Sequence, residues 1–336
     1  MIGICLSLGF ISLFDFPTFA GWISYFLLCV IPVQIILAIT LGTNHPGFAS
    51  RRAQPANGIL LVLIGLAVGG IIAAVAFQTI GGGISPPTPM LVMYAIVTVV
   101  TTFWAAIKLG GWPAASLVKN PLATGFGVLL TSEIGCYLIY KICFNFGFLR
   151  GAPVYVAALD PQGLFNAWKA LVFCVTIVAA MFLIVDFELW PLTMFPKVMR
   201  QPVLGIVWSI FAVVLVGIAF FLGVGVAGMD PMTFLVRVPV PFIFGSIIVL
   251  NMFQDMLFQK FEQPMKGIVT TVSAAVVGLL LTGLYGVLAP TVTGTLRTGP
   301  PGYDFEIWLA SALLAVTFPF LIFIAEFFKL WPFQKT

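Results

Sequence analysis

The stretch "GILLVLIGLAVGGIIAAVAF", from Gly58 to Phe77, runs for 20 residues without a charged side chain. A helix of this length is about 30 Å long, which matches the hydrocarbon thickness of a bilayer. Backbone polar groups in lipid must bond within their own segment, and barrel strands are about half as long. The stretch is therefore predicted to be a membrane-spanning α-helix.

Similar spans recur along the whole chain, which has 61% hydrophobic and only 8% charged residues. Soluble domains carry about 25% charged residues. We predict an all-α integral membrane protein of the cell membrane, with one polytopic domain over residues 1–336. Nine spans are predicted: Ala20–Leu41, Gly58–Phe77, Met90–Leu109, Leu122–Phe144, Phe165–Leu189, Val203–Gly225, Val238–Phe258, Gly267–Leu288 and Phe305–Leu330. A tenth would exist if residues 2–14, which resemble the tail of a preceding helix, also insert.

Short motifs at regular spacing predict an internal repeat. Candidate helix caps precede the odd-numbered spans at intervals of 70, 75, 70 and 74 residues: Asp15, Ser85, Asp160, Asp230 and Asp304. Odd spans tend to end in Trp-Pro, and even spans follow a polar-proline motif: "AQPANG", "KNPLATG", "RQPVLG" and "EQPMKG". We predict tandem two-helix hairpins of about 72 residues. Their bounds lie near 15–84, 85–159, 160–229 and 230–303, with a half-unit at 304–336.

The two classes of span differ in composition. Even spans are rich in glycine, whereas odd spans hold few glycines and many phenylalanines. Small residues allow membrane helices to approach closely. We therefore expect the even helices to form the inner layer and the odd helices to face lipid.

Ten of the 15 basic residues are predicted on the side of the polar-proline motifs: Arg51, Arg52, Lys108, Lys119, Lys197, Arg200, Lys260, Lys266, Lys329 and Lys335. Basic loops stay in the cytoplasm, so these loops and the C-terminus are predicted to be cytoplasmic. Nine spans then place the N-terminus outside, and a tenth would place it inside.

Several kinds of chemistry lack their residues. The single histidine, His45, lies in a predicted loop, and the five cysteines form no CxxC pair. Haem and zinc sites require clustered ligands of these types. The common hydrolase, nucleotide-binding and zinc-protease motifs are absent as well. The sequence predicts no catalytic residue, no metal, no cofactor and no nucleic-acid partner, and an enzymatic role is disfavoured.

Glu133 is the principal candidate site residue, because it falls near the middle of the fourth span in "LLTSEIGCY". An ionisable group at membrane depth is costly and suggests a function. It is predicted to carry a proton or bind a cation, with Thr131 and Ser132 adding hydroxyl groups. The alternative is a bond between helices.

A second candidate patch lies near the end of the seventh span. Asn251 and Asp255 are four residues apart on one helix face, and Gln254 is close by. This patch is expected either to line a water-filled vestibule or to pair with a basic loop residue.

Three acidic residues, Asp186, Glu188 and Glu326, precede Trp-Pro pairs. They are expected to pair with basic side chains at headgroup level, and cation binding is the alternative.

These features favour a transporter or channel for a small solute or ion, since repeats are common in transporters. The alternative is a non-catalytic membrane subunit or scaffold, or a homo-oligomer, with a membrane-protein partner. A membrane enzyme acting on lipid through Asp186, Glu188 and Arg200 is the third option.

Overall fold

The computed structural model describes residues 2–252, 258, 260–300 and 302–331, and for residues 251 and 252 only the backbone. This part of the chain is mainly helical, with a single pair of two-residue strands, and contains nine apolar helices of 20 to 29 residues, a length compatible with crossing a membrane. Their bounds are α1 Phe16–Leu41, α2 Ala56–Thr79, α3 Pro89–Lys108, α4 Pro121–Cys143, α5 Ala167–Asp186, α6 Val203–Val226, α7 Pro231–Leu250, α8 Met265–Thr293 and α9 Asp304–Phe327. A shorter apolar helix, Ile2–Ile11, precedes them.

Short elements complete the secondary structure. Strand β1, Phe144–Asn145, pairs in parallel with β2, Phe165–Asn166. Short helical turns lie in the connections at Gly47–Ser50, Ala114–Leu117, Gly147–Leu149, Ala157–Leu159 and Leu192–Met194. Turns of π-helix interrupt the long helices at Phe19–Ile23, Ile36–Leu41, Trp104–Lys108, Phe221–Val226, Ile248–Met252, Ser311–Thr317 and Phe323–Phe327.

The chain forms two compact units. The first unit comprises Met1–Leu171 and Leu314–Thr336, and the second comprises Val172–Leu313. The boundaries fall inside α5 and α9, so neither coincides with a linker. The predicted single domain stays a prediction.

Two of the five predicted helix caps are confirmed. The Asp15 carboxylate accepts a hydrogen bond of 3.1 Å from the Thr18 amide at the start of α1. The Asp230 carboxylate accepts one of 2.9 Å from the Met232 amide at the start of α7. Both acids stand directly before the first helical residue, where an orphan amide can reach them.

The other three predicted caps are wrong. Thr88 caps α3 in place of Ser85, and Asn166 caps α5 in place of Asp160. Both predicted residues stand too far ahead of the first helical turn. Asp304 is itself the first residue of α9, so it lies inside the helix rather than before it.

Helix α7 begins seven residues earlier than the predicted start at Val238. It starts at Pro231 because the Asp230 cap fixes that end. The predicted continuation to Phe258 passes through residues 253–257, which lie outside the described part, and stays a prediction.

The prediction of inner and outer helices is wrong. In the odd helices, 61% to 72% of the most apolar stretch is buried, against 22% to 28% in the even helices. The Phe-rich helices are therefore the inner ones. The glycine-rich helices contact them on one side only.

Helix α2 shows why glycine content was misleading. Its buried residues form one narrow stripe, Gly58, Leu61, Gly65, Gly69, Ala73 and Ala76. At Gly69 an added Cβ would lie 2.7 Å from the Val30 Cα of α1, so the two backbones approach closely there. The opposite face carries exposed Ile59, Leu63, Ile71 and Val75. Small residues thus mark a contact stripe and not burial on all sides.

In the second unit, α7 and α8 pack with their backbones in direct contact. A Cβ added to Gly245 would overlap the Ala274 carbonyl oxygen, and one added to Gly278 would overlap the Pro241 carbonyl oxygen. Each helix therefore requires a glycine opposite a backbone carbonyl of the other.

Three of the polar-proline motifs share one capping contact. The backbone amides of Gly58, Gly205 and Gly267 donate hydrogen bonds of 3.1 to 3.2 Å to the side-chain oxygens of Gln54, Gln201 and Gln263, respectively. The glutamine therefore satisfies an amide in the first turn of the even helix. In the fourth motif Asn120 caps α4 directly.

Lys108 lies at the end of the third span, as predicted from the bounds Met90–Leu109. It is the last residue of α3 and is fully buried, with its ammonium group 3.9 Å from the centre of the Trp104 ring. The aromatic face provides a favourable environment for the cation.

Candidate functional site

Helix α4 places Glu133 at the middle of a long apolar helix. The Asn120 side chain accepts hydrogen bonds from the amides of Leu122 and Ala123, which fixes the start of the helix. Pro121 suits the first turn, because its missing N–H would have no partner there. Glu133 is then the thirteenth of 23 residues, about 18 Å from the first at 1.5 Å per residue.

Glu133 shares its helix face with two further polar residues. Tyr137 and Lys141 follow at intervals of four residues, slightly more than one turn each, so the three side chains form a stripe along α4. All three line a cavity of about 480 Å³ in the first unit. We call this cavity the α2/α4 cleft.

The other walls of the α2/α4 cleft are mainly apolar. Helix α2 and the residue that follows it contribute Ile71, Ile72, Val75, Ala76, Thr79 and Ile80. Tyr94 of α3 and Tyr140 of α4 add aromatic surface, and the loop residues Ala158 and Leu159 close one end. The cleft is thus an apolar space with a few polar groups, the usual composition of a small-molecule site.

The carboxyl group of Glu133 has an unused acceptor. Its Oε1 atom is buried and has no hydrogen-bond partner among the described residues. The Tyr94 hydroxyl faces the carboxyl group, and Tyr25 and Cys29 of α1 are within electrostatic reach. A buried acceptor without a donor is costly, so the site has capacity for a proton or a cationic ligand.

Glu133 has no ion-pair partner in the part of the chain that the structure describes, where the one salt bridge joins Lys266 and Glu188. The nearest basic residue on its own stripe, Lys141, has its ammonium group 6.0 Å from the centre of the Tyr137 ring. The carboxyl group therefore faces the cleft without a cation paired to it.

The two hydroxyl groups expected beside Glu133 do not join it. Thr131 donates a hydrogen bond of 2.7 Å to the Gly127 carbonyl oxygen of its own helix. Ser132 accepts a hydrogen bond from Thr102 of α3 on another face of α4. This expectation is wrong because consecutive helical residues point about 100° apart.

The second predicted patch is not described by the structure. The backbone of Asn251 lies in the π-helical turn Ile248–Met252, but its side chain is outside the described part, as are Gln254 and Asp255 entirely. Their predicted role stays a prediction.

A second buried carboxylate lies in the second unit. Asp186, the last residue of α5, is 2% exposed and accepts a hydrogen bond of 3.2 Å from the Ser246 hydroxyl of α7. Its Oδ1 atom has no hydrogen-bond partner among the described residues. The adjoining cavity measures about 20 Å³, which is enough for one water molecule. Asp186 is therefore not the interfacial ion-pair residue that was expected.

The expected charge pairing is confirmed at Glu188. Its carboxylate forms a salt bridge with the Lys266 ammonium group. Hydrogen bonding from Lys266 lowers the pKa of Glu188 below its ordinary value. Glu326, for which the same pairing was expected, forms no salt bridge within the described residues.

His45 lies in the loop after α1, as predicted, and its Nε2 atom is 3.0 Å from the Leu37 carbonyl oxygen. The part of the cleft that sequence reasoning missed is the set of Tyr94, Tyr137 and Lys141. The spacing of Glu133, Tyr137 and Lys141 was a visible signal for two of them. Tyr94 carried no such signal, because its contribution depends on which helices are neighbours.

Comparison of the chain with known protein families, with curated proteins and with solved structures finds no match. The α2/α4 cleft therefore has to be interpreted from its own residues.

Proposed function

We propose that this chain is a multi-pass membrane protein that moves a small solute or ion, with Glu133 as the group that accepts a proton or a cation. The observation that carries the proposal is the Glu133 carboxyl group at mid-helix, facing a 480 Å³ cleft with one oxygen unpartnered. If the side chain at position 133 served only for packing, an apolar residue would be less costly there than a carboxylate.

Membrane insertion is supported by the outer faces of the even helices. The exposed side chains of α4 include Phe126, Leu130, Ile134, Leu138 and Ile142. In water such a face would be a large apolar patch, whereas in a bilayer the lipid tails cover it.

The repeat is supported by a contact that occurs in both units. In the first unit, an added Cβ at Gly58 would meet the Phe328 ring at 2.8 Å. In the second unit, Gly267 lies against the Phe187 ring in the same way. Phe328 and Phe187 each stand three residues before the Trp of a Trp-Pro pair. The start of an even helix thus contacts the end of an odd helix through equivalent residues.

The proposed orientation keeps the polar-proline loops and the C-terminus in the cytoplasm. It is supported by the basic residues at these loops, such as Arg51, Arg52, Lys119 and Arg200. The variant Arg52→Cys, treated with a membrane-impermeant thiol reagent, tests this orientation. Labelling of the cysteine from outside the cell would contradict it.

Flux measurements test the transport function. The purified protein would be reconstituted into liposomes that contain a pH-sensitive dye, which reports proton flux. The flux of monovalent cations would be recorded in a separate measurement. We expect Glu133→Gln to lower the initial rate about tenfold or more, because the amide cannot take up a proton. Glu262→Gln is the matched control, since Glu262 is exposed in the loop before α8. Equal rates for wild type and Glu133→Gln would contradict the proposal.

The alternative function, a non-catalytic subunit of a membrane complex, is favoured by the same exposed faces of the even helices. A partner helix would cover them as well as lipid does. Native mass spectrometry of the protein extracted from its own membrane in mild detergent separates the two. A second protein at fixed stoichiometry supports the subunit function, and a lone chain or homo-oligomer supports transport.

A further inference from the structure

We propose that the α2/α4 cleft admits its ligand sideways from the lipid, and that the ligand is a lipophilic organic cation that binds at Glu133. The inference rests on the proposed membrane insertion and deepens the proposed function by naming the ligand class and its route.

The lateral route follows from the exposure of the walls of the cleft. Ile71 and Val75 of α2 are 63% and 57% exposed, and Tyr137 of α4 is 45% exposed, yet all three line the cleft. The cleft therefore opens between the outward faces of two even helices. These are the faces that lipid tails would cover, so the opening leads to the hydrocarbon and not to water.

The ligand class follows from the lining. A bare metal cation needs six or more oxygen ligands if it is Ca²⁺ or Mg²⁺. The cleft offers one carboxyl group and few free hydroxyl groups, because Thr79 and Tyr140 donate to the backbone carbonyl oxygens of Val75 and Met90. An organic cation needs fewer oxygen ligands, since its apolar body can contact the aliphatic wall. The aromatic rings can also attract its positive charge.

The size of the cleft agrees with this class. A volume of 480 Å³ lies within the range of about 300–1,000 Å³ that small-molecule pockets occupy. A single inorganic ion would leave most of this space empty.

Lys141 places a positive charge in the part of the cleft near the end of α4. It lies eight residues after Glu133, about 12 Å further along the helix axis and two residues before the end of α4. An ammonium group at that end repels a cation that would enter from the water beyond it. On the α2 side, where Ile71 and Val75 form the wall, none of the described lining residues is charged.

Binding of tetraphenylphosphonium, a lipophilic cation, to the protein in nanodiscs tests the inference. Tetraphenylborate has nearly the same shape and the opposite charge, so it is the control for apolar partition, and empty nanodiscs give the background. We expect saturable binding of the phosphonium alone. We also expect Glu133→Gln to weaken this binding about tenfold or more, because the ligand loses its counter-charge.

A pair of matched tryptophan variants tests the route. Val75→Trp narrows the lateral opening and is expected to slow phosphonium binding. Leu63→Trp adds the same bulk to an exposed position of α2 that does not line the cleft, and is expected to leave binding unchanged. Equal binding rates for the two variants would overturn the lateral route.

The inference and the proposed function can fail separately. Phosphonium binding that is equal in wild type and Glu133→Gln, or absent in both, overturns the inference. If Glu133→Gln nevertheless stops proton or inorganic cation flux, the transport proposal stands alone. Glu133-dependent phosphonium binding without flux of any tested ion supports the inference and contradicts transport.

Discussion

Glu133 in the first unit and Asp186 in the second are both acidic residues within long apolar helices, but their surroundings differ. Glu133 faces a cleft of about 480 Å³, whereas Asp186 adjoins a space for about one water molecule and accepts a hydrogen bond from Ser246. Each has one oxygen without a partner among the described residues. The difference teaches that a buried carboxyl group in an apolar helix becomes a candidate ligand site only when there is room beside it.

Chemical labelling gives the largest expected contrast. Dicyclohexylcarbodiimide is an apolar reagent that reacts with protonated carboxyl groups. We expect it to modify Glu133 through the α2/α4 cleft and to leave Asp186 unmodified, because the space beside Asp186 is too small for the reagent. Peptide mass spectrometry of the labelled protein measures both sites at once. Faster labelling of Asp186 than of Glu133 would reverse the comparison.

For stability the order of the two residues should be reversed, with the larger effect at Asp186 and the smaller at Glu133. Asp186→Ala is expected to lower the free energy of unfolding by about 2–3 kcal/mol, because it leaves the buried Ser246 hydroxyl without its acceptor and creates a cavity. Glu133→Ala should change it by less than about 1 kcal/mol, since no hydrogen bond to Oε1 is lost. Unfolding in detergent measures both variants.

Asp186→Asn separates packing from hydrogen bonding in this test, because it keeps the size of the side chain and an acceptor oxygen. If Asp186→Ala hardly changes the free energy of unfolding, or if Glu133→Ala lowers it more, the structural role assigned to Asp186 is wrong.

The smallest expected effect concerns Glu188, which lies two residues after Asp186 and is paired with Lys266. Lys266 lowers the pKa of Glu188, so the pair stabilises the folded protein above the ordinary carboxyl pKa, and this contribution is lost as pH falls through the lowered value. The Glu188 side chain is 50% exposed, which limits the gain to about 0.2–1 kcal/mol.

Comparison of wild type with Glu188→Gln measures this contribution. The difference in unfolding free energy near pH 7 should shrink as pH falls through the lowered pKa of Glu188, and also in high salt. A difference that is independent of pH would show that the pair contributes through packing alone. Glu262→Gln, at an exposed loop carboxylate, is the control.

The sequence was sufficient for the long apolar helices and for the mid-helix position of Glu133, because both depend on local composition and capping. The caps at Asp15 and Asp230 could be predicted for the same reason. Thr88 and Asn166 displaced Ser85 and Asp160 because a cap must stand directly before the first helical turn.

The layering of the helices and the walls of the cleft could not be predicted in this way. Both depend on which helices are neighbours, and the intervals between motifs do not contain that information. Glycine content also has two interpretations, burial on all sides or a single contact stripe. The stripe from Gly58 to Ala76 shows that the second applies to α2.

The backbone contact at Gly245 and Gly278 has a consequence for how this protein can change over generations. Alanine, the next smallest residue, already overlaps a carbonyl oxygen at either position. A change at one position is not repaired by a change at the other, because each glycine meets main chain and not a side chain. Among relatives of this protein, we expect these two positions to remain glycine while the outward aliphatic residues of α8 drift freely.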